Sequence, residues 1–283
     1  MRVAPSFFYH EYLFYKITVM KKSISAILLL SLFCSTAAFA GTEPEMKKEN
    51  KNVLERLDSI REASPLQVSI GADIMSSYVY RGVYQAGASF QPKFSLGYKG
   101  LIFEAWGSTG FAKNDIQEVD LVLGYQYKGL KIILTDYFVP GANPGYFEFD
   151  SHQTSHSGGP MISWTITEKV PITVAWETLL WGRDYKNFGD GDPENDKRQF
   201  TSYFQISYPF QILKYIDCEA GVGAYPWSSE LVGTEGFSVT NVYFNTSKIW
   251  KLDFGMKLGV HVRASYNPAF DQFNLVGGLY VGL

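Results

Sequence analysis

The residues best equipped for chemistry lie between stretches of alternating sequence. Phe149-Asp150-Ser151-His152-Gln153-Thr154-Ser155-His156-Ser157-Gly158-Gly159 gathers two histidines, several hydroxyls and a carboxylate. Acyl transfer from a hydroxyl needs a base within hydrogen-bond reach and a third group to orient that base. Nothing in this spacing demands such an arrangement. Metal binding through His152 and His156 works at i,i+4 only if the segment is helical. Asp190-Gly191-Asp192-Pro193-Glu194-Asn195-Asp196 offers carboxylates for calcium, but lacks the regular ligand spacing and closing Glu of an EF-hand loop. Both stretches read as polar, solvated loops, and the sequence implies no cofactor and no metal.

A second set of ionisable residues is spread over the chain: Asp73, Lys93, Glu104, Asp120, Lys131, Glu177, Asp217, Glu219, Asp253, Lys257, His261 and Arg263. Each falls on the polar side of an alternating segment. Charges lining a channel set its selectivity, whereas opposite charges in a narrow interior neutralise one another and fill space. Both signs occur here with no single-sign ladder, so an open pore and a salt-bridged interior stay about equally open. Arg81 stands apart, because it follows Tyr78-Val79-Tyr80 at the mouth of a loop. It is a candidate to line a constriction and attract anions. The slightly favoured alternative is that it anchors its loop through a carboxylate such as Glu148 or Asp150. The lumen and constriction candidates are therefore Arg81, Asp73, Lys93, Glu104, Asp120, Lys257 and Arg263.

The elements that must position these residues are strands. From Lys251 to Arg263, Leu252, Phe254, Met256, Leu258, Val260 and Val262 alternate with polar residues or glycine. Side chains alternate across a strand, so one face is wholly apolar. These 13 residues extend roughly 40 Å at about 3.3 Å each, which suits a tilted strand crossing a bilayer. Similar alternation marks 67–74, 89–98, 120–127 and 215–223. Weaker candidates are 101–109, 130–138, 160–168, 171–180, 199–209, 236–246 and 272–282. With the first, that makes about twelve strands, and the fold class is all-β: a transmembrane antiparallel up-and-down β-barrel over 67–283.

Connection lengths support the same reading. Tyr98-Lys99-Gly100 and Tyr127-Lys128-Gly129 are tight turns, and the links near Lys169, at 210–214 and at 247–250 are short. Between them lie the longer links 81–88, 110–115, 139–159, 181–198, 225–235 and 264–271. Short periplasmic turns on one rim and longer extracellular loops on the other give this rhythm in outer-membrane barrels. Tyr98, Tyr127, Tyr215 and Trp250 near the short turns, with Tyr78, Tyr80, Tyr137, Trp181, Tyr225 and Trp227 near the long loops, predict two interfacial aromatic girdles. The last segment carries Phe273, Leu275, Leu279, Val281 and Leu283 on one face. That resembles the C-terminal signal of such barrels, apart from the usual terminal aromatic.

The N-terminus predicts export. Lys21-Lys22, the apolar run from Ile24 to Phe33 and Ala38-Phe39-Ala40 form a signal peptide (20–40) with cleavage after Ala40. Residues 1–19 read as a non-native extension ahead of a start at Met20, and 41–66 as a charged periplasmic linker with a short helix. Removing Arg2, Lys16, Lys21, Lys22 and Glu11 leaves 21 basic and 27 acidic residues, a net charge near −6. Nucleic acid is therefore not an expected partner. Cys218 alone remains after cleavage, so no intrachain disulfide forms. Outer-membrane lipids, the barrel-insertion machinery and small solutes are the expected partners, with the cell outer membrane as the location.

Asp73-Ile74-Met75-Ser76-Ser77-Tyr78-Val79-Tyr80-Arg81-Gly82, followed by Gln91-Pro92, resembles the opening strand and first loop of the TorF-type porin family. Gly97-Tyr98 and Gly124-Tyr125 are similar to its strands, and the likeness extends to about residue 180. It implies a porin-like barrel for passive passage of small solutes and no catalysis. Two other readings remain: a structural barrel with a closed interior, and a membrane-embedded lipid or acyl hydrolase. Twelve-strand outer-membrane phospholipases use Ser and His on the barrel's outer face, but their His followed closely by Ser-Asn-Gly is not matched by His156-Ser157-Gly158.

Overall fold

The computed structural model describes residues 66–283 except 141–144, 151, 168, 187–196, 253 and 254. The export signal, nearly all of the 41–66 linker, Ser151, the Asp190–Asp196 stretch and Asp253 lie outside the described residues.

Alternation becomes strand over most of the described residues. In chain order these are β1 (Leu66–Met75), β2 (Tyr78–Tyr80), β3 (Val83–Ala86), β4 (Ser89–Tyr98) and β5 (Leu101–Gly110). Then come β6 (Gln117–Tyr127), β7 (Leu130–Phe138), β8 (His156–Thr165), β9 (Thr173–Thr178) and β10 (Trp181–Gly182). The last five are β11 (Ser202–Ile212), β12 (Ile216–Tyr225), β13 (Ser238–Lys251), β14 (Lys257–Asn267) and β15 (Gln272–Gly282). Twelve of them, all but β2, β3 and β10, pair antiparallel with their neighbours around a ring. β8 meets β9, β9 meets β11, and β15 returns to β1 with Ala72 opposite Val281. Closure satisfies the ladder hydrogen bonds that an open edge would leave unmet in lipid. β10 adds two residues beside the end of β8, Trp181 opposite Gly158.

The wall is apolar outside and polar inside. Val68, Ile70 and Ile74 of β1 and Leu275, Leu279 and Val281 of β15 are all exposed. Their alternate neighbours Ser69, Gly71, Asp73, Asn274 and Tyr280 point the other way. So continuous an apolar belt, unfit for water, matches the hydrocarbon layer. Among the described residues no helix is long and apolar enough to cross a membrane.

Turn chemistry follows sequence closely. Lys99 and Gly100 (φ 45° and 91°) and Lys128 and Gly129 (φ 44° and 81°) place two successive residues in the left-handed region. Two-residue hairpin turns of this hand match the strand twist and favour glycine second.

Four expectations need correction. The clean alternation from Lys251 to Arg263 is not one strand. β13 runs on to Lys251, the chain turns over 252–256 with Gly255 at φ 81°, and Leu252 N donates to Met256 O at 2.8 Å. Leu252 and Met256 stay apolar and exposed through the turn, so the pattern ran across it unbroken. Residues 247–250, expected as a turn, are strand paired to 258–261. The long loop expected at 264–271 shortens to 268–271, so the long–short rhythm fails at the last hairpin. Fourth, the outer girdle loses several members. Tyr98, Tyr127 and Trp250 are exposed beside short turns as expected, but Tyr78 and Tyr225 are buried, 8% and 3% exposed. Tyr137 also lies on the inward face, since it shares parity with Lys131 and Thr135.

Candidate functional site: a hairpin laid across the lumen

The site begins where β1 leaves the wall. Ser76 N donates to Gly277 O at 2.8 Å and Gly277 N to Ser76 Oγ at 2.9 Å, fixing the exit point against β15. β2 and β3 pair only with each other. Their turn residues, Arg81 and Gly82, have φ of 50° and 80°. A Cβ on Gly82 would run into the Thr240 carbonyl, so only glycine suits this tip. The Gly82 carbonyl accepts from Asn267 Nδ2 at 3.1 Å and Asn274 Nδ2 at 3.4 Å, tying the tip to β14 and β15.

The flanks of the hairpin reach other strands. Tyr78 packs on Trp106 of β5 with ring centroids 5.5 Å apart. The Tyr80 hydroxyl donates to Tyr137 Oη on β7 at 2.9 Å, and Tyr137 donates to Glu177 Oε1 on β9 at 2.7 Å. Arg81 donates to Glu177 Oε2 as an ion pair and lies over the rings of Tyr80 and Tyr203, at 4.7 and 4.2 Å. This short hairpin thus contacts β5, β7, β9, β11, β13, β14 and β15, and narrows the lumen at its level.

Burial explains why the pair needs support. The Arg81 and Glu177 side chains are 14% and 2% exposed. Removing two charges from water offsets their attraction unless further hydrogen bonds satisfy them. The Tyr137 hydroxyl supplies one to Glu177, and the two tyrosine faces stabilise the guanidinium through their quadrupoles. A polar chain continues from there. Asn241 Nδ2 donates to Tyr203 Oη at 3.0 Å, and Arg263 Nη2 donates to Asn241 Oδ1 at 3.1 Å. Arg263 lies 4.6 Å over Tyr243, whose hydroxyl donates to Glu219 at 2.8 Å.

The remaining candidates fall elsewhere on the inner wall. Lys93 and Glu104 pair at 2.8 Å between β4 and β5. Asp73 lies 3.7 Å from His261, whose Nε2 is 3.0 Å from Met75 Sδ. Asp120 sits opposite Trp106 and Tyr137 in the ladder. Lys257 is at the short-turn end, opposite Lys251, away from the hairpin. Glu148 and Asp150 do not anchor Arg81. Asp150 N donates to Glu148 Oε1 and His152 N to Asp150 Oδ1, both at 2.9 Å, closing their own loop. Sequence reasoning passed over Tyr203 and Asn241, whose only signal was inward parity on β11 and β13.

Of the histidine cluster, His156 packs against the outside of the wall. His156 shares the parity of outward-facing Ile162, and Ser157, one residue on, faces inward. His156 Nδ1 meets Asp136 Oδ2 and Nε2 meets Tyr146 O, each at 2.7 Å. Both ring nitrogens are occupied, leaving none to activate a hydroxyl. Asp136 also accepts from Trp181 Nε1 at 3.0 Å. The arrangement clamps a loop rather than assembling a nucleophile and its base.

Between the hairpin and the outer loops lies a cavity of about 340 Å³, bordered by Tyr80, Arg81, Glu118, Tyr137, Glu177 and Arg183.

Fold and site together define a closed twelve-strand barrel with a hairpin folded into its lumen. No family model and no curated protein matches the chain. Among solved structures it is similar to the NanC porin, at 10% identity and TM-score 0.46, covering 76% of this chain and 98% of that one. It is also similar to the KdgM porin, at 10% identity and TM-score 0.41, covering 76% and 96%. With TM-scores below 0.5, these likenesses say nothing of what this chain passes or binds.

Proposed function

We propose that this protein is an outer-membrane channel of the porin type, passing small solutes along a lumen narrowed by the β2–β3 hairpin. The observation that carries the reading is the two-faced closed wall: exposed Val68, Ile70 and Ile74 outside, charged Asp73, Lys93 and Glu104 inside. An apolar exterior suits lipid, and a polar interior suits a lumen that water and solutes enter. Membership of the TorF-type porin family, export through a signal peptide cleaved after Ala40 and delivery by the barrel-insertion machinery complete the proposal. Passage is passive on this reading. The inward Ser157 and doubly occupied His156 give the hydrolase alternative no support. Swelling of proteoliposomes in isotonic small sugars and amino acids tests the proposal. Swelling that slows with solute size is expected; impermeable vesicles carrying folded protein would overturn it.

A further inference from the structure

The outward row of β13 carries a charge near its end. Val242 is exposed on the outside of the wall, and Lys248 shares its parity. The ladder partner of Lys248 is Val260, which in turn opposes Leu279, and both are exposed apolar residues of the belt. Lys248 therefore stands on the lipid-facing side, close to the short-turn rim. Its Nζ lies 4.3 Å from the centroid of the Tyr215 ring and 5.5 Å from that of Trp250. Among the described residues no carboxylate forms an ion pair with it. Asp217, opposite Ser247 on β12, has inward parity and accepts from Gln211 Nε2 at 2.8 Å.

Two aromatic faces stabilise an ammonium but leave its charge unneutralised. A cation on the lipid face costs free energy unless it reaches the headgroup level. The surroundings favour an anion there. Lys214 is an exposed turn residue directly before Tyr215, and Lys99 and Lys128 are exposed in two further turns of the same rim. In sequence the short turns add Lys169, against two carboxylates, Glu168 and Asp253. Farther from the rim the outer face is aromatic, with the Phe210 ring 6.1 Å from those of both Tyr208 and Phe244. A positive end and an apolar platform thus follow one another along the wall, in the order of a phospholipid's phosphate and acyl chains.

We propose that this part of the outer wall binds an anionic phospholipid of the periplasmic leaflet. Its phosphate pairs with Lys248, and its acyl chains lie along Phe244 and Phe210. The proposal rests on the wall being embedded in the outer membrane with the short turns periplasmic, and it is independent of conduction.

Native mass spectrometry of the folded, detergent-released barrel tests it, with phosphatidylglycerol and phosphatidylethanolamine titrated separately. Phosphatidylglycerol is expected to bind about fivefold tighter. Lys248→Gln is expected to remove most of that preference, and Lys248→Arg to retain it. Lys113→Gln, which deletes an exposed charge between β5 and β6 at the opposite rim, should leave it unchanged. Inorganic phosphate at the same concentration should not displace the lipid. Equal binding of the two lipids by the unaltered protein overturns the proposal, whether or not any variant folds. An equal loss of preference in Lys113→Gln and Lys248→Gln also overturns it, as a response to net charge alone. Displacement by inorganic phosphate overturns it in favour of a free-anion site. A barrel that inserts into vesicles of either lipid without preference removes the site and keeps the embedded wall. A folded barrel that stays outside the vesicles overturns the embedding as well.

Discussion

Arg81 meets Glu177 across the barrel interior, 96 positions apart in the chain, and the Tyr137 hydroxyl holds the carboxylate's other oxygen. This contact turns a hairpin between the first two wall strands into a structure that reaches the far side. Breaking one partner of a buried ion pair costs about 3–5 kcal/mol, because the other charge is left uncompensated. Glu177→Gln is therefore expected to unseat the hairpin, with conductance rising severalfold and the current becoming noisier. Arg81→Gln should do the same, and the double variant should recover part of the seating. Additive effects of the two changes on conductance would rule out the latch.

Gly82 gives a second handle on the same element. Its φ of 80° and its contact with the Thr240 carbonyl leave no room for a side chain. Gly82→Val should displace the tip and break the hydrogen bonds from Asn267 and Asn274, while the wall stays closed. A folded barrel by gel mobility with raised conductance is the expected pair of results; wild-type conductance would contradict it.

The turn at 252–256 makes a topological prediction. Met256 belongs to the short-turn rim and Gly233 to the opposite one. In a Cys218→Ser background, Met256→Cys should react with a membrane-impermeant maleimide only after the outer membrane is opened, and Gly233→Cys in intact cells. Reversed labelling would invert the barrel.

The Asp136–His156 contact predicts a structural effect. Asp136→Asn weakens the hydrogen bonds from His156 and Trp181 that hold the outer loop, at a cost of about 1–3 kcal/mol. Faster proteolysis between Tyr146 and Thr154 is expected, with no change in ion conductance. Ser157→Ala should leave both unchanged.

Asp184, in the outer loop after β10, carries a pH dependence. Burial pushes its carboxyl above the usual range, and its hydrogen bonds from Thr201, one of them from Thr201 N at 2.8 Å, only partly oppose this. For an acid whose folded value is raised, the stabilisation is complete below the ordinary carboxylate pKa and is lost as pH rises through the raised one. After correction for intrinsic exchange, the Thr201 amide should be better protected at low pH. Asp184→Asn should flatten the profile, and equal pH dependence in the variant would refute the assignment.

What sequence made legible was whatever a period of two can express. Alternation found the wall and its even strand number, because an apolar exterior and a polar interior impose opposite polarities on successive residues. It did not see the turn at 252–256, where apolar residues on both sides of the bend kept the pattern intact. Nor did it see the hairpin, because Tyr78-Val79-Tyr80 alternates like any strand, and nothing local says that β2 and β3 leave the wall. Tyr137 and Tyr225 were misplaced for a related reason: an aromatic near a rim reads the same whether it faces lipid or lumen. Arg81 stood out, but its partner depended on closure of the ring, which brings β9 opposite the exit of β1.

Single-channel recording in planar bilayers tests the central claim most directly, comparing the intact protein with one in which Tyr78–Ala86 is replaced by a short Gly-Ser link. A lumen narrowed by this hairpin predicts a small, reproducible conductance for the intact barrel and a severalfold larger one once the hairpin is gone. Equal conductance in the two, or none in either from protein that migrates as a folded barrel, would contradict it.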